Sequence, residues 1–297
     1  MNNAYFHFLG FIANAHRSIT KLSLRNSFNF EVLNYDDVQQ LLMKIGNPLS
    51  MYDVHRLMFD RSDFHAVRKI VPLNDMEPES SYTAFNEIGP EIEHDVRVPL
   101  SAIRLYKEAS VCMPIYYCFT QCDENYRHMG RFEDHNLYHQ TTEFYILDDE
   151  VKSLGEFIDT FKLPFAKDCL QLCFDMFEMS YRGAYPTIGF ICLMFGLESL
   201  FNTGGPEVTK TISRHVAVLL AKDKTDGNRI YDDIRKLYKI RSDIVHGRKN
   251  ISVPESELLK LRQYVRESMK KAMLLSLDKE ALYDLLNIHG FGNLTTG

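Results

Sequence analysis

The sequence predicts an α+β protein, with a mixed α/β domain over residues 1–145 followed by an all-helical bundle over residues 146–297. Two observations lead to this prediction. Apolar and polar residues alternate in short runs in the first half of the chain, which is the pattern of half-buried strands. From about residue 148 onward the apolar residues recur at helical spacing, and Gly or Pro residues fall near the expected breaks.

The first half should contain strands and a short helix. Phe28, Phe30 and Val32 alternate with polar residues, while three prolines interrupt the stretch from 73 to 100. In chain order we expect a strand at 4–12, strands at 22–24 and 28–32 joined by a turn at 25–27, a helix from Asp36 or Asp37 to Ile45 ended by Gly46, a loop-rich stretch at 73–100 and a strand at 111–119.

The second half should consist of helices that are separated by clear breaks. Gly204-Gly205-Pro206, for example, separates two of them. The expected helices lie at 148–162, 165–182, 185–202, 206–222, 227–246, 254–276 and 278–287.

Composition and charge exclude several classes of protein. The formal net charge is −6, so the chain as a whole is not a generic nucleic-acid binder. Positive charge is nevertheless concentrated between Arg229 and Lys271, where twelve Lys and Arg stand against six Asp and Glu. The best candidate for a membrane span, Ile188 to Phe201, is too short and contains Glu198. Six cysteines without a tight disulfide framework favour a reducing cytoplasm.

Glu198 is the single charged residue between Ile188 and Phe201, in a helix that is apolar on nearly every face. Such a helix belongs in the middle of a bundle. A buried carboxylate without a partner costs several kcal/mol or becomes protonated. Glu198 should therefore have a cationic partner elsewhere in the fold.

Arg241 is the expected partner. It lies between Leu237 and Val245 on the apolar stripe of the helix at 227–246, whereas Lys236 and Lys239 point elsewhere. The planar guanidinium of an Arg in such a position can hold a carboxylate with two donors. A salt bridge with no catalytic role remains the alternative at this point.

His246 follows on the same helix, just before Gly247, which suits a helix C-cap. The helix dipole favours a positive charge there, and an imidazole titrates near neutral pH, so His246 is a candidate for proton transfer. Ser242 and Asp243 precede it by four and three residues and can reach it. Arg241 and His246 are about 140° apart on an ideal helix. They can serve one site if the helix frays, if Arg241 reaches around, or if a second chain completes the site.

These residues resemble a known family. The string from Leu237 to Gly247, preceded by Gly196-Leu197-Glu198-Ser199-Leu200-Phe201, is similar to the Apea-like branch of the HEPN superfamily. HEPN domains are helical bundles with an Arg-x4-6-His motif, which Arg241 and His246 match. The resemblance covers roughly residues 150–275, about 40% of the chain. Ser242 is a mild departure, since the family places Asn, Asp or His there more often.

The resemblance implies a metal-independent endoribonuclease that acts as a homodimer without a cofactor. It implies that His246 moves protons and that Arg241 stabilises charge on phosphorus, with Glu198, Ser242 and Asp243 completing the site. Positive side chains around the motif should hold RNA phosphates: Arg235, Lys236, Lys239, Arg248 and Lys249. HEPN domains are common in host-defence and toxin systems, which makes such a role the natural extension.

Other interpretations stay open. The helical domain can be a catalytically inactive HEPN module that dimerises and binds RNA or a protein. The N-terminal domain can sense a ligand or regulatory partner, or target the enzyme. A weaker hypothesis is a zinc site, because two cysteines and three histidines supply enough ligand types although their spacing matches no standard module. Those residues are Cys118, Cys122, His128, His135 and His139.

Overall fold

The computed structural model describes residues 4–24, 28–58, 63–73, 80–134, 142–182, 185–202, 204, 207–247 and 252–294. An antiparallel sheet occupies the N-terminal part and helices fill the C-terminal part, which confirms the α+β class. The chain divides into two compact units, residues 1–162 and 163–297. The first unit thus extends beyond residue 145, because the helix at 151–160 packs against a long helix of that unit.

The first unit is built around a five-stranded sheet in the order β2-β3-β1-β4-β5, with each neighbouring pair antiparallel. Its strands are β1 (Ala4–Ala13), β2 (Phe30–Asn34), β3 (Asp63–Leu73), β4 (Cys112–Cys122) and β5 (Asn125–Glu133). The central β1 is buried from Phe6 to Ala13. Strands β1 and β4 confirm the strands expected at 4–12 and 111–119.

Helices cover both faces of this sheet. They are α1 (Tyr35–Lys44), α2 (Met51–Met58), α3 (Ser80–Tyr106) and α4 (Val151–Thr160). Asp53 of α2 binds Arg131, which pairs with Tyr117 across β4 and β5. Gly89 of α3 instead faces Cys118. Adjacent residues of a strand point to opposite faces, so α2 and α3 lie on opposite sides of the sheet.

The prediction of a loop-rich stretch at 73–100 is wrong for most of its length, because α3 begins at Ser80 and continues through both Pro90 and Pro99. The helix is held by a buried stripe at helical spacing, formed by Ile92, Val96, Leu100 and Ile103. Burial of that stripe outweighs the backbone hydrogen bonds that the prolines cannot donate.

The hairpin expected at 22–32 is partly present. Ser23 and Asn29 form an antiparallel bridge, and the turn at 25–27 between them lies outside the described residues. Strand β2 begins only at Phe30, because the chain before it forms a short 3₁₀ turn at Arg17–Lys21 and then the isolated bridge between Ser23 and Asn29. The cap of α1 is Asn34, whose side chain accepts from the backbone N–H of Asp36, so neither Asp36 nor Asp37 is the cap.

The second unit is helical, as expected. Its helices are α5 (Asp168–Arg182), α6 (Pro186–Phe201), α7 (Val208–Leu220), α8 (Lys224–Val245), α9 (Glu255–Leu275) and α10 (Lys279–Ile288). The first and last residues of these helices, and of α4, lie within three residues of the bounds expected from the sequence. Within the described residues, no helix combines the length and apolarity that crossing a bilayer requires.

Helix α6 is the centre of this unit, packing against α5, α7, α8, α9 and α10. Two glycines let α5 approach closely. A Cβ on Gly189 would lie 2.7 Å from the carbonyl oxygen of Ser180, and one on Gly196 would lie 3.3 Å from Cys173 Sγ. Most sides of α6 therefore pack against other helices, and this packing fixes the position of its charged residue, Glu198.

Candidate functional site

The candidate site lies where α6 meets α8. The carboxylate of Glu198 contacts two residues of α8, because Tyr238 and Arg241 are three apart and share a helix face. The Glu198 side chain is 21% exposed and that of Arg241 is 25% exposed. The cluster therefore opens to solvent at one edge rather than lying wholly inside the bundle.

Tyr238 makes the shorter contact. Its hydroxyl donates to Glu198 Oε1 at 2.6 Å. Burial, followed by the neighbouring carboxylate, raises the pKa of the Tyr238 phenol far above its usual value. Tyr238 therefore stays protonated and serves as a fixed donor that orients Glu198.

Arg241 forms the ion pair that the sequence predicts. One terminal nitrogen lies 3.4 Å from Glu198 Oε1, and the guanidinium carbon lies 6.0 Å from the ring centre of Phe195. Its Nε is buried and has no hydrogen-bond partner among the described residues. A guanidinium has five N–H donors, so Glu198 fixes the group and leaves donors for another anion.

His246 lies at the end of the same helix. It is the C-cap of α8, with its backbone N–H bound to the carbonyl oxygens of Ser242 and Ile244. Gly247 follows with φ of +63°, the left-handed geometry that commonly ends a helix. The His246 side chain is exposed. Proteins or RNA can therefore approach the imidazole from solvent.

Arg241 and His246 leave the helix in different directions. At about 100° per residue, five residues separate their side chains by about 140°. Arg241 is on the side that faces α6, while His246 shares the outward side with Ser242. Asp243 lies between them in sequence and is half-buried. Helical geometry thus brings Arg241 to Glu198 and directs His246 elsewhere.

A row of side chains marks the outward face of α8. Arg235, Lys239, Ser242 and His246 fall within an arc of about 60°. Arg235, Lys236 and Lys239 are exposed, and the Arg235 guanidinium lies 5.7 Å from the ring centre of Tyr231. The remaining two predicted RNA-binding residues, Arg248 and Lys249, lie outside the described residues.

The two cysteines of the zinc hypothesis cannot bind one ion. Cys118 and Cys122 lie four residues apart on β4, which separates them by about 13 Å in an extended strand. Zinc–sulfur bonds are about 2.3 Å long. His135, His139 and the side chain of His128 lie outside the described part of the structure. Among the described residues, no group of three or more His, Cys, Asp or Glu is placed to hold a metal.

Sequence reasoning found the Glu198–Arg241 pair and missed the role of Tyr238. The available signal was its position three residues before Arg241, which puts both on one face of α8. Phe195, three residues before Glu198, carries the same signal on α6. Both aromatic residues belong to the cluster because they share the face that bears the charged residue.

No protein-family model, curated protein or solved structure matches the chain. The resemblance to HEPN domains therefore rests on the residues of α6 and α8 themselves, and it stays a prediction.

Proposed function

We propose that the helical unit is a metal-independent endoribonuclease of the HEPN type. The observation that carries this proposal is the fixed, partly exposed guanidinium of Arg241 on the helix that ends in the exposed His246. A cation with free donors and an imidazole open to solvent are the two groups that RNA cleavage requires in the absence of a metal.

RNA supplies the nucleophile in this reaction. The imidazole of His246 removes the proton of a 2′-hydroxyl, and the 2′ oxygen forms a bond to the adjacent phosphorus. The bond from phosphorus to the 5′ oxygen breaks, and that oxygen takes a proton from water as it leaves, while the imidazolium returns its proton to solvent. The products are a 2′,3′-cyclic phosphate and a 5′-hydroxyl. Arg241 stabilises the negative charge that develops on the phosphoryl oxygens.

A second copy of the chain completes the site in this proposal, because Arg241 and His246 of one chain diverge. Apolar side chains beside Arg241 support this. Phe195 is 44% exposed and Val245 is 53% exposed, and Ile188, two turns before Phe195 on α6, is 52% exposed. Exposed apolar residues at helical spacing are typical of a surface that is covered in an assembly.

The first experiment compares RNA cleavage in EDTA by the wild type, Arg241→Ala and His246→Ala, with His94→Ala as the control for loss of an exposed histidine in the other unit. The wild type and the control should cleave. His246→Ala should lose about 10²–10⁴-fold in rate and Arg241→Ala about 10²–10³-fold. Equal cleavage by all four proteins would refute the assignment of the activity to Arg241 and His246.

A second experiment tests whether two chains share the site. Arg241→Ala and His246→Ala are unfolded together and refolded as a mixture. If each site takes Arg241 from one chain and His246 from the other, half of the dimers are mixed and each has one intact site. The mixture should then recover about one quarter of the wild-type rate. No recovery would place both residues of a site on one chain.

The divergence of Arg241 and His246 also favours a second candidate function, a non-catalytic module that dimerises and binds RNA. The exposed cations of α8 would then carry the binding. Arg235→Ala combined with Lys239→Ala should lower RNA affinity and flatten its dependence on salt. RNA binding without cleavage by the wild type, Arg241→Ala and His246→Ala would establish this alternative.

A further inference from the structure

The first unit contains a cleft of about 570 Å³ between α3 and the β4–β5 edge of the sheet. This volume falls within the range of small-molecule sites. Gly89 and Pro90 form part of its wall on α3, where neither residue extends a long side chain into the space. A Cβ on Gly89 would still be 3.8 Å from Cys118 Sγ, so the cleft has room beside the helix.

One wall of the cleft is aromatic. The rings of Tyr116 and Phe132 stack with centres 4.6 Å apart and an interplanar angle of 11°. The ring of Phe85 continues the stack, 5.8 Å from that of Phe132. Phe8 stacks on Tyr116 as well, with ring centres 5.1 Å apart, and Tyr116 is 6% exposed whereas Phe132 is 36% exposed. A flat apolar ligand can therefore pack against Phe132.

The polar side of the cleft is organised around Glu93. Its Oε2 accepts from the hydroxyl of Tyr116 at 2.7 Å, and its Oε1 accepts from Nε of Arg97 at 2.6 Å. Burial, followed by Glu93, raises the pKa of the Tyr116 phenol, which keeps that donor protonated. A carboxylate has about four acceptor positions, and the Glu93 side chain is 27% exposed, so it can accept further hydrogen bonds.

Arg97 is already occupied. It binds Glu93 and also approaches Asp134, with Nη1 3.7 Å from Oδ2. The charged residues that line the cleft are three carboxylates and this one guanidinium, and one of the carboxylates, Glu133, is bound by Arg131, which Asp53 shares. Carboxylates therefore outnumber guanidinium groups at the cleft. An anionic ligand would therefore be repelled by the carboxylates, because the guanidinium of Arg97 is already bound to Glu93.

We propose that this cleft binds a small aromatic amine, with the ring against the exposed part of Phe132 and the protonated amine at the carboxylate of Glu93. The site would give the N-terminal unit a ligand of its own. This inference rests on the cleft alone and is independent of nuclease activity.

Three probes that share one ring test the charge preference by isothermal titration of the full-length protein. They are tryptamine, which is cationic, indole, which is neutral, and indole-3-acetate, which is anionic. Tryptamine should bind at least about ten-fold more tightly than indole-3-acetate, with indole between them. No binding of tryptamine, or equal binding of the acid and the amine, would overturn the proposal.

Two variants locate the binding. Glu93→Gln keeps the size of the side chain and removes its charge, so tryptamine affinity should fall about ten-fold while that of indole changes little. Gly89→Leu should fill the cleft and weaken all three probes. Glu91→Gln, an exposed change on the same helix, is the matched control and should have no effect. Unchanged tryptamine binding in Glu93→Gln, or in Gly89→Leu with a normal melting temperature, would place the ligand elsewhere and refute the site.

Discussion

Replacing Glu198 with Gln tests whether the Glu198–Arg241 pair holds α6 and α8 together. Exposed ion pairs contribute about 0–1 kcal/mol, and removing one partner of a fully buried pair costs about 3–5 kcal/mol. With side chains 21% and 25% exposed, this pair lies between those limits. The amide oxygen of Gln still accepts from Tyr238, but as a neutral hydrogen bond. We therefore expect a loss of about 2 kcal/mol in the free energy of unfolding.

The assay is urea unfolding of the whole chain, followed by far-UV circular dichroism. The slope of the transition should stay constant between variants, so that the shift in midpoint reports stability. Glu207→Gln is the matched control, because Glu207 pairs with Lys210 at 3.1 Å while both side chains are more than 60% exposed. The control should lose less than about 0.5 kcal/mol.

A double-mutant cycle of Glu198→Gln with Tyr238→Phe measures how much the charge of Glu198 strengthens the hydrogen bond from Tyr238, because the amide still accepts that bond. Because Tyr238 donates to the carboxylate at 2.6 Å, the coupling energy should be about 1 kcal/mol. A loss for Glu198→Gln no larger than that of the control, with no coupling to Tyr238, would refute the argument that a charge on an apolar helix needs these partners.

Three further predictions concern the packing of the second unit and one control position. Gly189→Ala should lose about 1–3 kcal/mol in unfolding free energy, since its Cβ would lie 2.7 Å from the carbonyl oxygen of Ser180. Gly155→Ala is the control: its Cβ would have no atom within 4 Å, and it should gain about 0.5–1 kcal/mol. Burial lowers the pKa of His215 in the folded protein, so the unfolded chain takes up a proton first as pH falls below about 6.5. The free energy of unfolding should then decrease by at most about 1.4 kcal/mol per pH unit. His215→Gln should reduce this dependence on pH when unfolding is measured between about pH 5 and pH 7. Arg214→Ala removes three hydrogen bonds to carbonyls at the end of α10 and should lose about 2 kcal/mol, with faster hydrogen exchange in Lys279–Ile288; unchanged exchange would contradict this.

The helices of the second unit could be predicted closely because their signals are local. A helix buries residues three and four apart, so its apolar stripe and the residues that end it can be recognised from the sequence of that helix alone. The first unit lacks such a signal in places. In β3, Phe64, His65, Ala66 and Val67 are all buried, because the strand has neighbours on both sides and layers on both faces. Alternation disappears in such a strand, and β3 was missed.

Helix α3 shows a different failure. Pro90 and Pro99 predict breaks, because proline commonly ends a helix, but Val96, between them, and Leu100, after Pro99, continue one apolar face. A proline removes one backbone donor and crowds the preceding turn, at a cost of about 3 kcal/mol. Several buried side chains on a helix of 27 residues can exceed that cost. Proline is therefore weak evidence of a break where the stripe on either side stays in phase.

For the site, the sequence determines which residues need partners but not the distances between them. A lone carboxylate on α6 and a lone guanidinium on the apolar stripe of α8 predict their own pairing, because each is costly without the other. The crossing of α6 and α8 is fixed by packing along their whole length. It places one guanidinium nitrogen at 3.4 Å and gives the shorter, 2.6 Å contact to Tyr238. Arg241 therefore makes one contact of 3.4 Å to the carboxylate and keeps other N–H donors, which the proposed phosphate binding would use.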